Sequence, residues 1–162
     1  ESGGEVPVGR HYLYPGTLFA HRQPHQVTTV LGSCVSVCLW DAAARVGGIN
    51  HYLLPLWNGE GLPTPKYGNI AIVKLIEKVQ ALGAGSKLVA KLFGGASMWE
   101  KTDGLLAIGQ RNIELAAEIL EQHRIPVVSS DLGGCAGRKI IFHTGDGTVL
   151  LKRQRGFRPD GA

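Results

Sequence analysis

Gln26-Val27-Thr28-Thr29-Val30-Leu31-Gly32-Ser33-Cys34-Val35-Ser36-Val37-Cys38-Leu39-Trp40 holds two runs of β-branched and apolar side chains, broken at a glycine corner. Residues 26–31 and 35–40 therefore read as strands. After Asp41-Ala42-Ala43-Ala44-Arg45, residues 46–54 read as another. That connection is too short for a helical crossover, so 35–40 and 46–54 form an antiparallel hairpin. Upstream, residues 17–20 read as a short strand before the polar loop Arg22-Gln23-Pro24-His25. Downstream, Pro55, Gly59, Gly61, Pro63 and Pro65 mark a loop long enough to suspect function. Ile70, Val73, Ile76, Val79 and Leu82 then recur at helical spacing, which Gly83 ends.

Residues 88–93 read as a strand, and 108–123 as a second amphipathic helix with Ile113, Ala116, Ile119 and Leu120 on one face. Residues 125–129, 139–143 and 148–152 complete the strands, the last two flanking the turn Gly145-Asp146-Gly147. The order β-β-β-β-α-β-α-β-β-β is neither strict βαβ alternation nor all-β. It predicts an α/β domain: a mixed sheet, or two packed sheets, in a layered sandwich with helices outside.

At 162 residues, 44% apolar and 19% charged, the chain reads as one domain with a sizeable core. No run of apolar residues exceeds four, which predicts no membrane insertion. Seventeen Lys and Arg face 13 Asp and Glu, and the excess is local: Lys152, Arg153, Arg155 and Arg158 against Asp160. The body lacks the basic stripe of a nucleic-acid binder, so no nucleic acid is expected as a partner. The basic C-terminal tail, residues 154–162, reads as a solvated end or a docking element for an acidic partner. Three cysteines are too few for a disulfide scaffold, and a cytoplasmic, reducing setting fits them.

Cys34 begins a strand at a glycine-bent corner, where the backbone N–H groups of residues 32–34 can stabilise a thiolate or an oxyanion. A two-residue loop centred on Ala42-Ala43 would set Cys38 opposite Gly47 and Cys34 opposite His51. Opposed residues share a face, so this hairpin makes a thiol–imidazole pair. The imidazole and N–H groups favour thiolate, and Cys34 is then expected to alkylate faster than Cys38 or Cys135. The bland alternatives are a buried small cysteine and a satisfied core histidine. A metal site is not expected: Cys34 and Cys38 lie too far apart along a strand to share an ion, and no histidine has ligand spacing. No cofactor motif is present either. Gly133-Gly134-Cys135-Ala136-Gly137-Arg138 precedes a strand, lacks the Lys-Ser/Thr ending of a nucleotide loop, and reads as a turn beside the site.

These residues resemble the CheD family of chemoreceptor glutamine deamidases. The likeness runs through residues 27–35 and Gly47-Gly48-Ile49-Asn50-His51-Tyr52-Leu53-Leu54-Pro55. It continues in Tyr67-Gly68-Asn69, Phe93-Gly94-Gly95-Ala96, Ile108-Gly109-Gln110-Arg111-Asn112, Asp131-Leu132-Gly133-Gly134, Gly137-Arg138-Lys139 and Thr144-Gly145-Asp146-Gly147. It spans about residues 11–153 and leaves residues 1–10 and the tail uncovered. Asp41-Ala42 departs from the family's frequent Asp-Pro, which touches only the turn. The resemblance implies a fold similar to the catalytic domain of cytotoxic necrotizing factor toxins. It also implies a cytoplasmic hydrolase acting on glutamines in the helices of methyl-accepting chemotaxis receptors, with Cys34 as nucleophile, His51 as general base and acid, and Thr28 as third member. Gly32 and Ser33 would support the oxyanion. In some lineages the family has a regulatory partner, the CheC phosphatase. Two other readings use the same residues: a different cysteine amidase or peptidase, and a non-catalytic adaptor.

Overall fold

The computed structural model describes residues 7–97 and 107–154. In these, the chain runs β1 (Gly9–Tyr12), β2 (Leu18–His21), β3 (His25–Leu31), β4 (Val35–Asp41), β5 (Val46–Asn50), α1 (Gly68–Ala81), β6 (Val89–Gly94), α2 (Ile108–Gln122), β7 (Val127–Leu132), β8 (Gly137–His143) and β9 (Val149–Gln154). The expected order holds with one strand added at the front. β1 has no strong apolar pattern of its own; it exists because it pairs in parallel with β3, Gly9 against His25 through Tyr12 against Thr28.

The strands make two mixed sheets, β2-β5-β4-β6-β7 and β1-β3-β8-β9. Alternation along β4 shows how they stack. Val35, Val37 and Leu39 share a core with Ile72, Leu75 and Val79 of α1 and with Ala116 and Leu120 of α2. Cys38 joins Val27, Leu31, Ile140 and Phe142 of the other sheet in a second core. The five-stranded sheet is thus the middle layer, with both helices on one face and the four-stranded sheet on the other. Gly48 explains how α1 sits so close: a Cβ there would meet Leu75 and Val79 at 2.8 Å. The buried face of α1 is rotated from the expected one, with Ile72 and Leu75 fully buried and Ile70 only partly.

Several boundaries differ from the sequence reading. β5 stops at Asn50 rather than continuing to residue 54. Beyond it only isolated bridges occur, Val35 with Tyr52 and Leu54 with Tyr67. β7 begins two residues later than residue 125, because Ile125 turns in to cover the helix side of the core. Lys152, Arg153 and Gln154, assigned in part to the tail, belong to β9, and Arg153 pairs with Asp131 at 2.8 Å. The rest of the tail, with Arg155 and Arg158, lies outside the described residues.

The β4–β5 turn sets the register on which the site depends. It has four residues, 42–45, not two. Asp41 shapes it: Oδ1 accepts from Ala43 and Ala44 N–H at 2.9 and 3.0 Å, and Oδ2 from Gly85 N–H at 2.7 Å. Arg45 closes the turn in the left-handed region, φ 54. Those N–H groups, Ala44 first, hold the Asp41 carboxyl below the usual carboxylate range. Asp41→Ala leaves three donors without their carboxylate and should cost about 2–3 kcal/mol by urea denaturation. A carboxyl with a lowered native pKa stabilises above its ordinary 3.8 and loses this as pH falls through the lower native value. Stability of the variant should therefore fall less than that of the parent over that acid range; parallel curves would refute the role given to this carboxylate.

Candidate active site

Cys34 and His51 each adjoin a residue of one backbone bridge. Val35 N–H donates to the Tyr52 carbonyl at 3.2 Å, and Tyr52 N–H to the Val35 carbonyl at 3.0 Å. Val35 and Tyr52 face the helices and lie in that core. Their neighbours face the other way: Cys34 packs against the core shared with the four-stranded sheet, and the His51 ring bonds to a residue of β3. The main chain of His51 is fixed separately, its N–H donating to Thr17 O at 3.1 Å and its carbonyl accepting from Gly16 N–H at 2.8 Å.

The register differs from the expected one. Cys38 pairs with Ile49, not Gly47, because the turn has two more residues than expected. Carried to the Val35–Tyr52 bridge, this register sets His51 opposite Ser36 and diagonal to Cys34. A shift of two residues preserves the face.

The imidazole is held by Thr29. His51 Nδ1 lies 2.7 Å from Thr29 Oγ1, and Thr29 donates its only proton to the Leu13 carbonyl at 2.8 Å. A hydroxyl whose proton is spent can only accept, so Nδ1 carries the hydrogen and Nε2 the lone pair. His51 Nε2 is buried and has no hydrogen-bond partner among the described residues. The tautomer is the one a general base needs. The ring's hydroxyl partner is thus Thr29 and not the expected Thr28: adjacent residues on a strand face opposite ways, so Thr28 turns from His51. Thr28 is half-buried, and its carbonyl accepts from Leu13 N–H at 2.8 Å.

Around Cys34 every carbonyl is tied back. Gly32 O accepts from Ala96 N–H at 3.0 Å, Ser33 O from Asn112 Nδ2 at 3.1 Å, and Cys34 O from Gly95 N–H at 2.9 Å. The N–H groups of Ser33 and Cys34 have no backbone acceptor among the described residues. Gly94 makes this possible: at φ +109 it leaves room for the Cys34 carbonyl, into which any Cβ would run. Gly133 N–H reaches Gly94 O at 2.9 Å, so the glycine turn expected beside the site adjoins this loop. The site is assembled from the β3–β4 corner, the end of β5, the Gly94-Gly95-Ala96 loop and α2.

Burial governs the charges. It pushes the Cys34 thiol up to about 11, the Cys34 N–H opposing it, and pushes the His51 imidazole down to about 4. The resting pair is therefore neutral thiol and neutral imidazole. That reverses the expectation that the imidazole and N–H groups favour thiolate. No group of three His, Cys, Asp or Glu among the described residues is arranged to hold a metal ion.

A family model described as CheD chemotactic sensory transduction matches residues 53–153. A protein of Trichlorobacter lovleyi named "Probable chemoreceptor glutamine deamidase CheD" is 54% identical over 148 residues, covering 91% of this chain and 92% of that one. A protein of the same name from Sulfurimonas denitrificans is 51% identical over 146 residues, with 88% and 93% covered. One from Anaeromyxobacter dehalogenans, named "Probable chemoreceptor glutamine deamidase CheD 1", is 43% identical over 157 residues, with 94% and 91% covered.

The neutral pair has a measurable signature. Alkylation of Cys34 by iodoacetamide, followed site by site with mass spectrometry, should climb with pH toward a midpoint near about 11. Cys38, fully buried, should stay unmodified while the protein is folded. Sharp alkylation of Cys34 that already levels off at neutral pH would mean a thiolate–imidazolium pair and overturn the neutral assignment.

Proposed function

The chain belongs to the CheD family, and from that premise we propose that it hydrolyses the side-chain amide of glutamines in chemoreceptors, giving glutamate and ammonia. The reading of Cys34 and His51 as its working pair is supported above all by the Leu13–Thr29–His51 chain, which leaves His51 Nε2 as a buried base on the face that Cys34 shares. Cys34 Sγ attacks the carboxamide carbon as its proton passes to His51 Nε2. The carbonyl oxygen takes up negative charge beside the Ser33 and Cys34 N–H groups. The tetrahedral adduct collapses to a thioester, and its C–N bond breaks as His51 returns the proton to the nitrogen, which leaves as ammonia. Water then adds to the thioester, its proton taken by His51. Collapse releases glutamate, and the Cys34 sulfur recovers the proton.

A neutral resting pair separates charge only when substrate is present. This matters in a site where an uncompensated charge is costly to hold. Thr29 supports the imidazolium less than a carboxylate would, so slow turnover is expected. Among the described residues no helix is long and apolar enough to cross a membrane. Free thiols suit the reducing cytoplasm, where this reading puts the work. A CheC phosphatase as regulatory partner belongs to the same reading.

The test is mass spectrometry of a receptor fragment after incubation, reading the gain that accompanies exchange of an amide NH2 for OH, alongside ammonia release without chain cleavage. Cys34→Ala should abolish both and leave the fold intact. Cleavage of the fragment would favour a peptidase, and undiminished conversion by Cys34→Ala would remove the nucleophile. Between the two threonines the expectation is equally sharp. Thr29→Val should lower kcat by roughly 10²-fold or more, having lost the group that sets the tautomer. Thr28→Val should leave kcat nearly unchanged, and the opposite ranking would restore Thr28 as the third member.

A further inference from the structure

Asn112 ties the nucleophile loop to the histidine segment. It is fully buried in α2. Its Nδ2 donates to Ser33 O at 3.1 Å and to Leu53 O at 3.0 Å, which spends both amide protons. Ser33 immediately precedes Cys34, and Leu53 follows His51 by two residues. A third bond closes the unit: the Tyr52 hydroxyl donates to the Asn112 main-chain carbonyl at 2.6 Å. The amide has only one sensible orientation, since reversing it would press Oδ1 against two carbonyl oxygens. Oδ1 itself has no hydrogen-bond partner among the described residues, so the two donated bonds are what hold the side chain.

The start of α2 is also seated on the loop that carries the nucleophile's carbonyl bonds. A Cβ on Gly109 would meet Gly95 O at 2.6 Å and Ala96 O at 2.7 Å. Those residues are the ones whose N–H groups hold Cys34 O and Gly32 O. Helix and loop therefore meet backbone to backbone, and Asn112 reaches from that seat to both halves of the site. Its position is too exacting for simple core filling, where an apolar residue of similar volume would serve without an unpartnered acceptor.

We propose that Asn112 is a positioning residue, whose amide sets the separation and orientation of Cys34 relative to His51, with Tyr52 fixing the helix that carries it. This rests on the deamidase reading for its kinetic consequence but not for its structural one. Hydrogen bonds at both ends keep the corner from drifting, and a displacement of about 1 Å between reacting groups costs about 10²-fold in rate. Asn112 touches neither the thiol nor the imidazole by any hydrogen bond, so its effect passes through Ser33 and Leu53.

The experiment uses the full chain with Asn112→Asp, close in volume, and Asn112→Ala, smaller, neither able to donate both bonds. On a receptor fragment, kcat should fall about 10²-fold with KM little changed. Independently of any receptor, in Asn112→Ala, which adds no charge, the midpoint for alkylation of Cys34 should drop from about 11 toward the ordinary thiol value as the corner loosens, while alkylation of Cys135 is unaltered. A variant that lowers the melting temperature yet keeps kcat and the Cys34 profile would show a purely structural residue and overturn the proposal. A raised KM with kcat intact would overturn it too, by assigning Asn112 to binding. If the Asn112 variants do not fold, Tyr52→Phe removes only the phenol bond and should shift the same two readouts in the same direction by less. No shift there counts against the proposal. Absence of ammonia release from the parent protein would defeat the deamidase reading alone, because the alkylation arm still reports on Asn112.

Discussion

A threonine hydroxyl has one proton, and in this molecule the Leu13 carbonyl takes it. Everything useful about His51 follows from that assignment. With its proton spent, Thr29 Oγ1 is an acceptor only, the ring must place its hydrogen on Nδ1, and Nε2 is left basic. The constraint is inexpensive in charge, since no carboxylate has to be buried to orient the ring. It is demanding in structure, because Leu13, Thr29 and His51 come from three segments. β1 must pair with β3 to bring up the Leu13 carbonyl. β3 must face the middle layer to present Thr29, and β5 must end where the His51 main chain can turn to Thr17. The tautomer is a property of the sandwich, not of a local motif.

The same burial that fixes the ring suppresses its charge. A thiol near 11 and an imidazole near 4 leave no ion pair at neutral pH. The linkage signs agree with a site most stable in the middle of the pH range. His51, lowered from its ordinary 6.5, binds a proton more readily unfolded, so it disfavours the native state as pH falls from 6.5 through about 4. Cys34, raised from 9.0, holds its proton better when folded, and that contribution is lost as pH rises through about 11. Between these limits the neutral pair opposes folding little. The carbonyl ties of residues 32–34 satisfy these acceptors through other groups, and they leave the Ser33 and Cys34 N–H groups without a backbone acceptor among the described residues.

The layered class, both helices and eight of the nine described strands were legible in the sequence, because their signals are local: apolar period, glycine stops, β-branched runs. β1 was not legible. Arg10, His11 and Tyr12 carry no strand pattern that a window could detect, and the strand exists through pairing alone. Asn112 shows a similar blindness, since its partners Ser33 and Leu53 are 79 and 59 residues away. Its neighbours in sequence describe an amphipathic helix, and a buried asparagine there carries no sign of what it donates to. Cys34 was easier to single out, because a cysteine at a glycine corner is a local feature even though its charge state is not.

Parity separates the sequence inference about the site that survives its own error from the one that does not. Counting the hairpin as a two-residue turn misplaced the register by two, because the Asp41 carboxylate gathers Ala43 and Ala44 into a longer turn. An even error moves a side chain along its face without turning it over, so Cys34 and His51 still look toward the same layer. The hydroxyl that meets the imidazole lies only one residue along β3 from the expected Thr28, a smaller error in distance and a larger one in consequence. Thr28 and Thr29 are chemically identical, and both suit a strand. What tells them apart is which face meets the core: Val27, Thr29 and Leu31 are fully buried in one row, and Thr28 stands outside it. That row was readable in principle, since Val27 and Leu31 flank Thr29 at even spacing and an apolar-lined row is the inward one. A hydroxyl set between two core aliphatics is a better candidate for a buried imidazole's partner than its half-exposed neighbour.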